Sequence, residues 1–398
     1  MIGPEPSPDR VTQSPLTLLS PQALRGRRSH KWRRYPDDVL PMFIAEMDTP
    51  LAPPIERTLA DAIRRGDTGY AHPTGLAEAF AGFASRHYDW QPDPQLSIVV
   101  PDVLQGIGAV LALVSSPGSG VVINTPVYPP FFTVIPAAGR RVVESPLRRE
   151  ADGRYTFDLE ALDRDLAADG VEVLLLCNPH NPSGLVLRPT ELLAIAEIAR
   201  GHGVRVLVDE IHAPLVYPGA RHTAFATLPA DAAQDCIVFV SASKAFNLPG
   251  LKASLVIAGG EPAWRVLREL PVEVTFGTGL LGVISSEVAF AECDDWLATL
   301  VVALQANRDR LARLLADSLP SVGYVPPQAT FLAWLDLRSL GLGDDPAEPL
   351  LERGRLALTS GPAFGPGGSG HARLTFATSP ELLAEAVRRV AATVSAAG

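Results

Sequence analysis

The chain has 398 residues, 47% of them hydrophobic and 20% charged, with a formal net charge of −10 and a pI near 5.3. Such a length exceeds one ordinary core and predicts two domains, and the composition excludes a disordered chain. The acidic balance argues against nucleic acid or an anionic membrane as a partner, and no apolar run is long enough to span a bilayer.

The first dozen residues are rich in Pro and Ser and read as disordered. Met1-Ile2-Gly3-Pro4-Glu5 has neither a basic nor an apolar leader region, so a cytoplasmic protein is expected. Apolar residues at three- and four-residue spacing predict helices over Pro54–Arg65 and Glu78–His87, and over Glu191–Arg200 with Thr190 as its cap. Short β-branched runs recur at Leu96–Val100, Gly120–Asn124, Val142–Glu144, Val171–Cys177, Val204–Val208, Cys236–Val240 and Ser254–Ala258. Strands alternating with helices predict a parallel or mostly parallel α/β sheet.

After about residue 285 the pattern changes. A long helix is expected from Asp294 to about Ser318, then a strand over Ala329–Leu337, a Gly-rich loop over Gly361–Gly370 and a strand over Ala372–Phe376. Ser379-Pro380-Glu381 opens a terminal helix, a cap residue followed by proline at the first helical position. The expected division is an N-terminal arm with part of a small domain (1–53), a large domain (54–285) and a small α+β domain (286–398). Cys177, Cys236 and Cys293 lie in apolar or helical surroundings without metal-ligand spacing, as reduced structural thiols do, and no metal is expected.

Only three lysines occur: Lys31, Lys244 and Lys252. Lys244 follows the apolar run Cys236–Val240 in Ser241-Ala242-Ser243-Lys244-Ala245-Phe246-Asn247. Another apolar run, Val204–Val208, ends in Asp209-Glu210-Ile211-His212. A lysine and a carboxylate at two strand ends are what a pyridoxal 5'-phosphate site needs. The lysine forms the Schiff base and later acts as general base; the carboxylate keeps the pyridine nitrogen protonated.

Other segments admit two readings each. Asp209 serves a pyridinium or an ordinary salt bridge or cap. Ser241, Ser243 and Lys252 hold a phosphate, or Lys252 is simply solvated. His212 and Asn181 donate to the cofactor's phenolic oxygen, or His212 is a packed, hydrogen-bonded residue. Asn178-Pro179-His180-Asn181-Pro182-Ser183-Gly184 is on its own a turn. Pro101-Asp102-Val103-Leu104 opens a helix whose free N–H groups suit phosphate. Tyr128 stacks on a pyridine ring or fills the core.

Together these segments resemble the fold-type I enzymes of the aspartate-aminotransferase superfamily, and within it the cystathionine β-lyase branch of MalY and PatB type. The similarity runs from about Ser29 to the C-terminus. It is carried by Ser29-His30-Lys31-Trp32, Ala45-Glu46-Met47-Asp48, Gly69-Tyr70, Asp209-Glu210-Ile211-His212, Ser243-Lys244-Ala245-Phe246-Asn247 and Ala333-Trp334-Leu335-Asp336-Leu337. The resemblance implies a large domain with a mostly parallel seven-stranded sheet beside a smaller α+β domain. It implies pyridoxal 5'-phosphate on Lys244, with Asp209 at the pyridinium, Tyr128 over the ring, and Asn181 and His212 near the phenolic oxygen. Val103 and Leu104 would bind the phosphate through their amides, helped by Ser241 and Ser243.

Arg373 would clamp the substrate carboxylate, with Asn181 and Asp48 on the substrate side. Tyr70 would reach the phosphate of a neighbouring subunit, which implies a homodimer with shared active sites. The expected reaction is carbon–sulfur β-elimination from an S-substituted L-cysteine, giving thiol, pyruvate and ammonia. The alternatives are transamination and decarboxylation with oxidative deamination of a cysteine S-conjugate; one lysine, one carboxylate and one arginine serve all three. Glu46 and Thr49 depart from the branch's Ala-Asp-Met-Asp-Phe, and Ala71-His72-Pro73 lacks its bulky residue. Both changes lie on the substrate side and favour a larger S-conjugate than cystathionine.

Overall fold

The computed structural model describes residues 14–72 and 75–395; the first dozen residues, expected to be disordered, lie outside them. The main sheet has seven strands: β1 (Ser97–Val100), β2 (Gly120–Ile123), β3 (Arg141–Glu144), β4 (Val171–Cys177), β5 (Arg205–Asp209), β6 (Ile237–Val240) and β7 (Ser254–Ala258). Their spatial order is β1-β7-β6-β5-β4-β2-β3. Five neighbouring strands run parallel. β7 is antiparallel to both of its neighbours.

Parallel strands must be covered on both faces, and the side chains divide accordingly. Leu174, Leu176, Val206, Val208, Val238 and Val240 belong to one core. The intervening Val173, Leu175, Cys177, Leu207, Ile237 and Phe239 belong to a second core on the opposite face. All seven expected strands are present, each within a residue or two of its expected bounds.

Helices α1 (Pro53–Arg65) and α2 (Leu76–Tyr88) precede β1, and α3 (Val103–Val114) follows it directly. A Cβ on Gly106 would stand 3.1 Å from methyls of both Val100 and Val256, so glycine lets α3 lie close on the sheet. Helix α4 (Pro189–Gly201) begins one residue before the expected cap Thr190. Proline takes its first position, and the Glu191 carboxylate accepts from Arg188 N–H at 2.8 Å. Helix α5 (Leu280–Glu292) carries the chain past residue 285 without a break, and Cys293 separates it from α6 (Asp294–Ser318).

Beyond α6 lies a four-stranded antiparallel sheet of β8 (Gly323–Tyr324), β9 (Leu332–Asp336), β10 (Thr359–Ser360) and β11 (His371–Thr375), in the order β8-β9-β11-β10. β9 starts later than expected because Thr330 adopts a φ of 74°, which ends extended structure there. Helix α7 (Pro380–Ser395) closes the chain. The Ser379 hydroxyl accepts from Leu382 N–H at 3.3 Å, as its cap position predicts. The N-terminal segment joins this layer through Leu40–Pro41, paired parallel with Leu356–Ala357.

Candidate active site

In open α/β sheets the ligand crevice lies beyond the carboxyl ends of the strands. The turn Asn178–Gly184 leaves β4, Asp209 ends β5, and Ser241–Lys244 follows β6. These ends, the start of α3 and Arg373 from β11 enclose a cavity of about 240 Å³. Its lining includes Val103, Leu104, Tyr128, Asn181, Asp209, His212, Ser241, Ser243, Lys244, Lys252 and Arg373, all named from the sequence.

Lys244 is enclosed, and its Nζ donates to Ala45 O at 3.3 Å. Burial, with the positive charge of Arg373, presses the amine down to about 8. The turn that carries it is held by Ser241, whose hydroxyl donates to Ala253 O at 2.8 Å and accepts from Ser243 N–H at 3.1 Å. Asn247 adopts a φ of 58°. Its side chain accepts from Met47 N–H and donates to Met47 O, both at 2.9 Å. The N-terminal stretch Ile44–Met47 is thereby fastened across the lysine turn, with Ile44 and Ala45 lining the cavity.

Asp209 is 3% exposed. Among the described residues its carboxylate takes part in one hydrogen bond, from Ile211 N–H at 3.1 Å, and in no salt bridge. Burial pushes it up to about 7, against the pull of that N–H and of Lys244. This acid is short of a cation. His212 is buried with Nδ1 unpartnered among the described residues. Burial holds its imidazole down to about 3, aided by the charges of Lys244 and Arg373, so it is neutral. Burial also pushes the Tyr128 phenol up to about 12, so it keeps its proton.

At the α3 start, the Asp102 carboxylate accepts from Gln105 N–H at 2.9 Å and pairs with Lys252 Nζ at 2.9 Å. The first two helical positions, Val103 and Leu104, have no intrahelical acceptor for their N–H groups, which leaves these free to meet an anion. Arg373 stands opposite. Its guanidinium donates to Asn181 Oδ1 at 3.0 Å and to Phe43 O and Thr359 Oγ1 at 3.2 Å each. Phe364 lies 5.2 Å beneath it, and its buried Nε has no partner among the described residues. Burial lowers it to about 10, which leaves it charged at neutral pH.

Two expected site residues lie elsewhere. Asp48 does not line the cavity: it is buried, pairs with Lys31 Nζ at 2.8 Å and accepts from Trp32 Nε1 at 3.0 Å. A carboxylate whose oxygens serve a buried lysine and an indole is held to the arm and is not free for substrate. Tyr70 is 96% exposed and borders a different cavity, beside Ala71 and Phe276. Conversely, sequence reasoning assigned no role to Asn247 or to the Ala45 carbonyl. The only available signal was their presence in the motif segments.

The residues present fit pyridoxal 5'-phosphate. There are free helix N–H groups for a phosphate, a buried uncompensated carboxylate for a pyridinium, a deprotonatable lysine in the same cavity, and buried nitrogens on His212 and Arg373 unpartnered among the described residues.

The family described as Aminotransferase class I and II matches residues 47–390. A protein of Mycobacterium leprae (strain TN) named "Putative cystathionine beta-lyase" is 44% identical over 401 residues, spanning 96% of this chain and 98% of its own. The cystathionine beta-lyase of Corynebacterium glutamicum is 36% identical over 374 residues, 93% of this chain and 98% of its own. Among solved structures, cystalysin from Treponema denticola, which contains a pyridoxal 5'-phosphate cofactor, superimposes with a TM-score of 0.90 at 25% identity. That match covers 97% of this chain and 99% of the other.

Proposed function

As a member of the aminotransferase class I and II family, the chain is, we propose, a pyridoxal 5'-phosphate-dependent carbon–sulfur β-lyase acting on an S-substituted L-cysteine. The convergence of Lys244, Asp209 and Arg373 on one cavity beside the free N–H groups of α3 supports the cofactor site, and the observation that favours β-elimination over the other reactions such a site serves is the likeness along nearly the whole chain to proteins named cystathionine beta-lyase.

When bound, the cofactor supplies an electron sink for the pair left on Cα by the departing proton. The chain's own residues do the rest. Val103 and Leu104 N–H groups would hold the phosphate, with the Ser243 hydroxyl and Lys252 adding donors and charge, while Ser241, whose one hydroxyl proton goes to Ala253 O, would shape the turn and not, as expected, bind the phosphate. Asp209 holds the proton on the ring nitrogen. Asn181 and His212 serve the ring oxygen, and Tyr128 offers an aromatic face. Arg373 binds the α-carboxylate with its guanidinium fork, and Asn181 keeps that fork oriented. Lys244, already pressed down to about 8, takes the α-proton and returns a proton as the thiolate leaves. Water completes the balance, giving thiol, pyruvate and ammonia.

Two further proposals concern organisation. The exposed side chains of Tyr70, Val272 and Phe276 suit burial against a second copy, with Tyr70 reaching the partner's phosphate. The arm ends near residue 53, the large domain follows, and the passage to the small domain falls at Cys293, between α5 and α6. No helix among the described residues is long and apolar enough to cross a membrane. Three buried, unpaired cysteines suit a reducing compartment, and we place the enzyme in the cytoplasm.

The test is pyruvate and free thiol release by the cofactor-loaded enzyme from a panel of S-substituted L-cysteines. Equal molar release from at least one member is expected. Keto-acid formation without thiol would replace this reading with an aminotransferase.

A further inference from the structure

Arg373 is 5% exposed and sits on β11 directly opposite Thr359 of β10. Its guanidinium reaches three parts of the chain at once. Nη1 donates to Asn181 Oδ1 on the turn after β4, and Nη2 donates to Phe43 O of the arm and to Thr359 Oγ1. The last two acceptors are themselves joined, because the Thr359 hydroxyl donates to Phe43 O. A hydroxyl has one proton. With that proton committed to Phe43 O, the Thr359 oxygen meets Arg373 only as an acceptor. Carbonyl and hydroxyl together make a single seat for one edge of the fork.

The seat is held from several sides. Thr375 N–H donates to Met42 O at 2.9 Å, and the Thr375 hydroxyl donates to Ile44 O at 3.0 Å, which fixes the arm on both flanks of Phe43. The Phe43 ring meets His30 and Tyr35 edge-on, with centroids 5.8 and 5.3 Å away. Threonine is β-branched and stiff at its first side-chain torsion. Arginine needs such support. Its long side chain has much rotamer freedom to lose, and a two-pronged clasp is strongest when the fork is aligned before the carboxylate arrives.

We propose that Thr359 is a positioning residue that sets substrate choice: by seating the Arg373 fork, its hydroxyl gives the enzyme its preference for amino acids with a free α-carboxylate. Thr359 does not line the cavity and acts through Arg373. The inference rests on the proposed role of Arg373 as the carboxylate clamp and holds whichever reaction follows binding.

The experiment compares cofactor-loaded wild type, Thr359→Val and Thr359→Ser. Valine keeps the shape of threonine and removes the oxygen, while Phe43 O still receives Arg373, so no buried carbonyl is stranded. Calorimetry measures binding of 3-(methylthio)propanoate, which is S-methylcysteine without the amino group and cannot condense with the cofactor. Steady-state kinetics compare an S-substituted L-cysteine with the matching S-substituted cysteamine, and melting temperatures are recorded alongside. Thr359→Val should bind the acid about five- to twentyfold more weakly than wild type. Its KM for the cysteine compound should rise by a similar factor, with the cysteamine compound processed within about twofold of the wild-type rate. Thr359→Ser should bind the acid within about threefold of wild type.

Wild-type-like binding of the acid by Thr359→Val overturns the proposal. So does an equal loss on both kinetic substrates, or a loss that serine does not recover, since the side chain would then serve only the fold of the site. Should Thr359→Val not fold, Thr359→Ala takes its place under the same criteria. A wild type that does not bind the acid overturns the clamp and the proposal together. A wild type that binds the acid but releases no thiol or pyruvate from any S-substituted cysteine undoes the lyase reading alone, and calorimetry still decides the role of Thr359.

Discussion

Replacing Arg373 by lysine keeps a positive charge in the cavity and removes the planar fork. In the wild type the guanidinium is fixed by Asn181, Phe43 O and Thr359 before any substrate arrives. A lysine ammonium cannot span those acceptors and also offer two parallel donors to a carboxylate. A charge-assisted hydrogen bond is worth about 1.5–3 kcal/mol, so losing one arm of a bidentate pair lowers kcat/KM by about 10- to 150-fold. A carboxylate is bound equally in ground and transition states, so the loss should fall mainly on KM. The assay is pyruvate release from an S-substituted L-cysteine, with cofactor content checked by visible absorbance. The control is thiol release from the matching S-substituted cysteamine, which lacks the carboxylate. Wild type and R373K should process that analogue at similar, low rates. If R373K slows both compounds equally, the arginine serves the fold of the site and does not bind the carboxylate.

Other substitutions probe the remaining parts. Lys244→Ala should abolish borohydride-trappable cofactor; covalent label in that variant, detected by intact mass, would remove Lys244 from the chemistry. Because Lys244 is held at about 8, cofactor capture by the apoenzyme should quicken about tenfold per pH unit below pH 7.5 and level off above pH 9. A rate still climbing at pH 10 would indicate an ordinary lysine. Asn247→Ala leaves Met47 N–H unpartnered in a buried place and puts a Cβ-bearing residue without a local polar contact at φ 58°, for a loss of about 2–4 kcal/mol in urea unfolding. Asn247→Gly should lose about 1 kcal/mol less. Equal losses would show that the backbone angle contributes nothing.

Much of the fold was legible because a sheet buried on both faces writes itself as short, uninterrupted apolar runs. Val171–Cys177 and Cys236–Val240 are such runs, and chemistry gathers at their carboxyl ends. Lys244 and Asp209 were visible for that reason. Arg373 was visible only through resemblance, since nothing in His371-Ala372-Arg373-Leu374 marks a substrate clamp. Asp48 misled because a carboxylate in the arm looks the same whether it faces substrate or a buried lysine. The partner that decides, Lys31, sits on a separate short helix (His30–Arg33). Asn247 was silent for a related reason: its role is a contact with backbone 200 residues away, which local sequence does not encode.

That distance bears on how the protein is made. Ile44–Met47 leaves the ribosome early, yet the groups that hold it arrive much later: Asn247 after 200 residues, and Arg373, which grips Phe43, after 330. Contacts so far apart along the chain carry a large loop-closure cost and form late. A nascent or C-terminally cut chain can therefore raise its central sheet and present Lys244 while one wall of the cavity is still missing. Substrate binding becomes a property of the finished chain, and loss of a short C-terminal piece would silence catalysis before it unfolds the large sheet.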